Sequence, residues 1–248
     1  VIPCYNEAIN LPSLFADLSS SNLLQVCDVV FVDDCSRDET AKLILKEGFR
    51  LLQHPQNLGY GGSVRTGYDY ALSKGYKNFI LFPGDHQRKA ADALFMISLL
   101  EEERLDVVVG NKFHIYLANG SPVRRRIGNI IFSQMAKHFW GSPVEDVLAG
   151  FKVYRISAVR SFFDFLPFGY PLDIVFSLYA SRCQLKMREV PVACRYDRNT
   201  TKMKSVILVS MKLMAYALTH YFLLYPYWSL IASRRGFSPS AAPNRSLS

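Results

Sequence analysis

Three apolar runs within the first 90 residues each end in a tight polar cluster, and this pattern narrows the fold more than any other feature of the chain. They are Val1-Ile2-Pro3-Cys4-Tyr5-Asn6-Glu7, Val29-Val30-Phe31-Val32-Asp33-Asp34-Cys35-Ser36, and Phe79-Ile80-Leu81-Phe82-Pro83-Gly84-Asp85-His86-Gln87. Short β-branched and aromatic runs that stop at Pro, Asp and Gly predict buried parallel strands. Open α/β sheets bind ligands beyond the carboxyl ends of such strands. Three strand ends rich in acids and amides therefore predict one polar site built from three loops.

Helical spacing fills the gaps between these runs. Leu11, Leu14, Phe15 and Leu18 follow Asn10 as a cap, with Pro12 in the first turn. Ser36-Arg37-Asp38-Glu39 has the form of a capping box leading into Thr40–Lys46. A strand begins at Leu51-Leu52, a helix runs from Gly59 to Gly75, another covers 91–103, and Asp106–Val109 is a further strand. This alternation predicts βαβ units with right-handed crossovers. The second half is less regular, with a basic loop at Arg124 to Arg126, helices near 127–139 and 171–182, and strands at Gly150–Tyr154 and Met187–Val192.

Charge separates the C-terminal part from the rest. Of the net +8 on 248 residues, residues 195–248 carry eight Lys/Arg against Asp197 alone, or +7. A near-neutral body with a basic tail predicts an anionic partner: phosphate, a membrane surface or nucleic acid. No stacking-aromatic groove or helix-turn-helix pattern supports nucleic acid. Leu213 to Ser233 contains no Asp, Glu, Lys or Arg, and its length would permit a membrane span. His220, Pro226, four tyrosines and Trp228 within it favour an interfacial or re-entrant helix over a plain span or a packed soluble helix. The five cysteines form no CxxC pair, which argues against a zinc site or a disulfide framework and for a reducing, cytosolic setting. The opening Val-Ile-Pro lacks an initiator Met, so a short preceding piece is expected.

The ordered motifs Ile2-Pro3-Cys4-Tyr5-Asn6-Glu7 and Val32-Asp33-Asp34-Cys35-Ser36-Arg37-Asp38-Glu39-Thr40 resemble the N-terminal signature of family 2 glycosyltransferases of the GT-A fold. Later segments narrow the resemblance to the polyprenyl-phosphate branch, similar to dolichyl-phosphate mannose synthase. They are Asn57-Leu58-Gly59-Tyr60-Gly61-Gly62, Asp85-His86-Gln87, Asp146 to Lys152, Glu189-Val190-Pro191-Val192, and Arg195-Tyr196 through Thr201-Lys202. The likeness spans residues 1 to about 204. It implies an α/β, Rossmann-like mixed sheet with flanking helices: a catalytic domain over 1–204, then a membrane-associated helical segment over 205–248.

The resemblance also implies roles. Pro3, Tyr5, Asn6, Glu7, Val32, Asp34, Gly61 and Gly84 would bind the donor nucleotide. Asp34 would take hydrogen bonds from base or ribose, although both Asp33 and Asp34 also suit capping of the next helix. Gly59, Gly61 and Gly62 would offer amides to phosphate at a helix start, or serve close packing. Arg65, one turn on, is a counter-charge or a surface arginine. Asp85 and Gln87 would hold Mg²⁺ or Mn²⁺ on the donor diphosphate. The family normally has Asp-X-Asp there; Pro83 stands in place of the first Asp, which weakens the metal site. Lys112, Arg195 and Lys202 would dock the acceptor phosphate, with Lys112 standing where relatives carry Arg. Asp85, Asp146, Lys112 and Arg195 form the expected catalytic set. Asp146 would be the base if the acceptor were a hydroxyl; Val175 replaces a frequent Glu. The implied reaction is inverting transfer of a hexose from a nucleotide-diphosphate sugar (GDP-mannose or UDP-glucose type) to a polyprenyl phosphate at the cytoplasmic face of a membrane. An integral-membrane partner or a second copy of the chain is compatible with it. A saccharide hydroxyl acceptor, or a non-catalytic nucleotide-sugar binder, remains open.

Overall fold

The computed structural model describes residues 1–111, 123–192 and 206–234. In chain order the first half comprises β1 (Ile2–Cys4), α1 (Leu11–Ser20), α2 (Leu23–Val26), β2 (Val30–Asp33), α3 (Thr40–Lys46), β3 (Arg50–Gln53), α4 (Tyr60–Ser73), β4 (Asn78–Leu81), α5 (Ala90–Glu102) and β5 (Val107–Asn111). The second half comprises α6 (Val123–Trp140), β6 (Lys152–Arg155), α7 (Ile156–Val159), a 3₁₀ turn (Phe163–Phe165), α8 (Leu172–Arg182), β7 (Met187–Pro191), α9 (Val206–Thr219), a π turn (His220–Leu224) and α10 (Tyr225–Arg234).

Strands β1, β2 and β3 pair in parallel, with Ile2 opposite Phe31 and Phe31 opposite Leu51. A second group runs β4-β6-β5-β7, in which β6 is antiparallel to both neighbours and β5 pairs with β7 in parallel. The Val1 nitrogen donates to Ile80 O at 2.7 Å, and Phe82 N donates to Val1 O at 3.0 Å. This parallel bridge sets β1 beside β4 and joins the two groups into one mixed sheet. Every residue of β2 and β5 is buried, as expected of central strands covered on both faces. The edge strand β3 instead exposes Arg50 and Gln53.

Helices cover both faces. On one, Leu11, Leu14, Phe15 and Leu18 of α1 share one core with Ala93, Met96 and Leu100 of α5, and Asp17 Oδ2 accepts from Ala90 N at 2.8 Å, at the start of α5. Burying each such leucine stabilises the fold by roughly 1.5–3 kcal/mol. On the other face, Val64 and Tyr68 of α4 share one core with Phe132 of α6 and Ile174 and Leu178 of α8. Leu213, Ala217 and Trp228 from the C-terminal helices belong to this same core. The change of composition near residue 204 is therefore not a break in packing. The Trp228 indole donates to Ser161 O at 2.9 Å, and Arg182 donates to the Tyr221 hydroxyl at 2.8 Å. Pro226 removes an i→i−4 bond and crowds the carbonyl four residues back, and the π turn immediately before α10 accommodates it. Among the described residues no helix is long and apolar enough to cross a membrane.

The expected capping box does not form. Ser36 turns its hydroxyl to Asp33 and accepts from Asn6 N at 2.9 Å, while Asp38 Oδ1 accepts from Thr40 N at 3.1 Å. Glu39 pairs on the surface with Lys42 at 2.6 Å. The Asn10 amide likewise reaches back to Glu7 Oε2 at 2.6 Å instead of capping α1.

Candidate active site

The ends of β1, β2 and β4 come together, and each contains a non-glycine residue in the left-handed region: Asn6 (φ 53°), Cys35 (φ 61°) and His86 (φ 52°). Each such conformation costs about 1–3 kcal/mol and persists only where surrounding bonds over-determine it. Those bonds are present. Arg37 N donates to Asn6 Oδ1 at 2.8 Å, Glu7 N to Thr40 Oγ1 at 2.8 Å, and Ala8 N to Asp38 Oδ2 at 3.1 Å. Asp33, fully buried, accepts from Ser36 and from Gln53 Nε2 at 3.1 Å. Its role is to cap this turn.

Asp34 is 3% exposed and anchors the loop that leads into α4. Its Oδ1 accepts from Leu58 N at 2.7 Å and from His54 Nδ1 at 2.8 Å, and its Oδ2 accepts from Gly59 N at 2.8 Å. A carboxylate only accepts, so the His54 hydrogen sits on Nδ1; Nε2 lies 2.8 Å from Thr66 Oγ1. With about four acceptor positions on a carboxylate, these three bonds leave room for one ligand donor, fewer than the ribose-diol role would use.

These strand ends border a cleft of about 380 Å³, within the usual size of a small-molecule site. Pro3, Tyr5, Glu7, Asp34 and Asn57 line it from the β1 and β2 side, and Pro83, Gly84 and Asp85 from β4. Tyr60, Gly150 and Tyr170 complete it. Gly84 allows the β4 end to lie against β1, because a Cβ there would meet Pro3 O at 2.6 Å. Asp85 Oδ1 accepts from Gln87 N at 3.1 Å, which closes the turn over His86.

Among the described residues no group of three or more His, Cys, Asp or Glu side chains could hold a metal ion. Of the two expected ligands, Asp85 lines the cleft and its carboxylate suits a hard divalent cation that would take other ligands from diphosphate and water, whereas Gln87 is not among the lining residues. Pro83 contributes none.

Several expected site residues stand behind the cleft wall. Val32 is wholly buried in β2, and Asn6 ties the first loop to the second. Gly61 meets protein backbone: a Cβ there would lie 2.4 Å from Pro167 O, and neighbouring Gly62 N donates to Phe168 O at 3.1 Å. Close packing accounts for both glycines without a phosphate. Arg65 is neither a counter-charge nor a free surface group; it bonds Asp164 Oδ1 at 3.0 Å and the carbonyls of Phe163, Asp164 and Leu166. Asp146 is 1% exposed, and its amide donates to Glu189 Oε1 at 2.7 Å. Burial, against the two amide hydrogen bonds it accepts, pushes Glu189 above the usual carboxylate range. Lys112, Arg195 and Lys202 lie outside the described residues.

Sequence reasoning had no signal for the buried ion pair behind Gly150. Lys152 and Asp173, both buried, pair at 2.5 Å, and Lys152 also reaches Ala149 O. Burial, then the Asp173 carboxylate, push the neighbouring Tyr60 hydroxyl well above the ordinary tyrosine range, so it keeps its proton.

The sequence pattern of glycosyl transferase family 2 matches residues 1–163. The chain belongs to glycosyl transferase family 2. It is thus an enzyme of the glycosyltransferase class, and its mixed sheet is of the GT-A type. An uncharacterised protein of Methanocaldococcus jannaschii is 26% identical over 217 residues, covering 86% of this chain and 88% of that protein. The dolichyl-phosphate beta-glucosyltransferase of Saccharomyces cerevisiae is 27% identical over 218 residues, covering 78% of this glycosyltransferase and 65% of the yeast protein. The chain thus spans slightly under two thirds of the yeast enzyme. Among solved structures, glucosyl-3-phosphoglycerate synthase from Mycobacterium tuberculosis in complex with Mn²⁺ and UDP-glucose superposes with a TM-score of 0.67 at 18% identity. That match covers 89% of this glycosyltransferase and 77% of the mycobacterial chain and establishes the shared fold.

Proposed function

We propose that this family 2 glycosyltransferase moves a hexose from a nucleoside diphosphate sugar to a polyprenyl phosphate at the cytoplasmic face of a membrane. The observation that carries the donor half is the cleft at three strand ends, with Asp85 at the β4 end and Asp34 fixing the loop before α4. The named activity of the yeast relative supports a lipid phosphate acceptor. The UDP-glucose and Mn²⁺ bound by the mycobacterial fold neighbour support a nucleotide-sugar donor and a divalent cofactor, Mg²⁺ or Mn²⁺.

In this scheme Pro3, Tyr5, Glu7 and Asp34 hold the nucleoside, and Asp85 and Gln87 hold the cation. When bound, the cation neutralises charge that builds on the departing diphosphate. A lipid phosphate is already anionic at neutral pH and needs no general base. It needs cations to dock it, a role we assign to Lys112, Arg195 and Lys202. Its oxygen forms a bond to the anomeric carbon as the bond to the diphosphate oxygen breaks; the nucleoside diphosphate leaves with that electron pair, and the anomeric centre inverts. Asp146, the base that a hydroxyl acceptor would use, is buried.

The C-terminal helices support the membrane site. Their inner face packs into the core, while Tyr216, Phe222, Leu223, Tyr227 and Leu230 are exposed on the outside. Such a surface beside Lys212 suits the headgroup boundary of a bilayer.

A panel of UDP- and GDP-hexoses with dolichyl or undecaprenyl phosphate, with and without EDTA, tests the proposal. The expected outcome is one donor yielding a chloroform-soluble sugar, with EDTA reducing the yield. No lipid-linked sugar from any donor in either condition would overturn it, and unchanged turnover in EDTA would remove the cation alone.

A further inference from the structure

We infer that Tyr60 and Tyr170 form an aromatic wall that receives the hexose ring of the donor, an inference that rests on the nucleotide-sugar reading above. Both residues line the cleft, and their rings stack with centroids 6.3 Å apart and planes 16° from parallel. Tyr170 is 63% exposed, so a large aromatic surface is left open at the mouth of the cleft. One face of a hexose presents C–H bonds with partial positive charge, which suits the negative face of an aromatic ring.

The position of the wall selects the sugar over the base. A nucleotide sugar runs base, ribose, diphosphate, sugar. The sheet runs β2, β1, β4, β6 across the cleft, with Asp34 at the β2 end, Asp85 at the β4 end and Gly150 just before β6. Beyond Asp85 lie Gly150 and the buried Tyr60 hydroxyl, on which Asp85 acts electrostatically. With the nucleoside at β1 and β2 and the diphosphate at Asp85, the next group along the chain of the donor is the hexose.

The wall is also fixed from several directions. The Tyr60 hydroxyl sits against Gly150, where a Cβ would lie 3.0 Å from it and 3.8 Å from Asp173 Oδ2. Lys152 fixes Asp173 in turn. Gly61 and Gly62 bring the start of α4 against the backbone of Pro167 and Phe168, two residues before Tyr170. Arg65 ties down the carbonyls of Phe163, Asp164 and Leu166 and lies 5.0 Å over the Phe168 ring. Such pre-organisation lets an aromatic surface bind without an ordering penalty.

Calorimetric titration of the full chain with UDP, UDP-glucose, GDP and GDP-mannose tests the inference. Tyr170→Ala should weaken whichever nucleotide sugar binds by about 3- to 10-fold, the worth of one aromatic contact, and leave the parent diphosphate within about 2-fold. Tyr170→Phe should retain wild-type affinity for both, and unchanged thermal unfolding midpoints will verify that the variants are folded. Equal weakening of diphosphate and nucleotide sugar would overturn the inference, because the wall would then contact the nucleotide. Unchanged affinity for both would also overturn it while leaving the donor reading intact. A wild-type chain that binds none of the four would overturn the donor reading and the inference together.

Discussion

Replacing Gly61 with alanine probes the contact between α4 and the segment that carries Tyr170. The new Cβ would lie 2.4 Å from Pro167 O, 2.5 Å from Phe168 C and 2.7 Å from Phe168 O. Ordinary contact is roughly 3.5 Å, so one side must retreat by about 1 Å. All three neighbours are backbone atoms, and Arg65 together with the 3.1 Å bond from Gly62 N to Phe168 O holds them in place. Overpacking of this kind costs about 1–3 kcal/mol. Losing the Gly62 bond adds about 1 kcal/mol, and the better helix propensity of alanine offsets up to about 1 kcal/mol. The net expectation is a loss of about 1–3 kcal/mol, or a Tm lowered by roughly 3–10 °C in a chain of this size. Urea unfolding and thermal scans measure it directly. Displacement of Phe168 should also move Tyr170 and weaken nucleotide-sugar binding more than diphosphate binding. A Gly61→Ala chain as stable as wild type would refute the reasoning, because the close approach would then be of no consequence.

Two further expectations concern buried charge. Lys152→Met leaves Asp173 buried without its ammonium partner and should destabilise the chain by about 3–5 kcal/mol. Adding Asp173→Leu should recover much of that loss, whereas additive losses in urea unfolding would contradict the pairing. Burial lowers the pKa of His220 from 6.5 to about 4. The unfolded chain therefore binds that proton more tightly, so stability is full above pH 6.5 and falls as pH drops toward 4. Between pH 7 and pH 5 the loss from this group is about 2 kcal/mol, and a stability profile of His220→Gln should be correspondingly flatter over that range.

The strands and the longer helices are legible because period-two and period-3.6 patterns are local. Leu11, Leu14, Phe15 and Leu18 announce the buried face of α1 without help from the rest of the chain. The direction of β6 is not local, since an apolar run carries no sign of whether it will pair parallel or antiparallel. The three loops of the site are legible as loops, but their internal bonding is not. The Ser36–Glu39 box failed because Asp33 and Asn6, fixed by the sheet, compete for the Ser36 hydroxyl. The three protein bonds on Asp34 were not legible because its partners His54, Leu58 and Gly59 follow about 20–25 residues later and converge only in the fold. Arg65 looked like a surface or phosphate-facing cation because its partners lie about a hundred residues away. The C-terminal run read as membrane-seeking on composition, and part of its apolar surface belongs to the core through Leu213, Ala217 and Trp228. Removing residues 205–248 would therefore disturb folding as well as acceptor use.

The acceptor is the central claim, and a competition experiment addresses it. The full chain is given its nucleotide sugar together with equal amounts of a polyprenyl phosphate and a free saccharide, and the products are read by mass spectrometry. The expected product has a mass that combines one hexose with the lipid phosphate, and no glycosylated saccharide is formed. Transfer to the saccharide alone would contradict it and return Asp146 to consideration as a base.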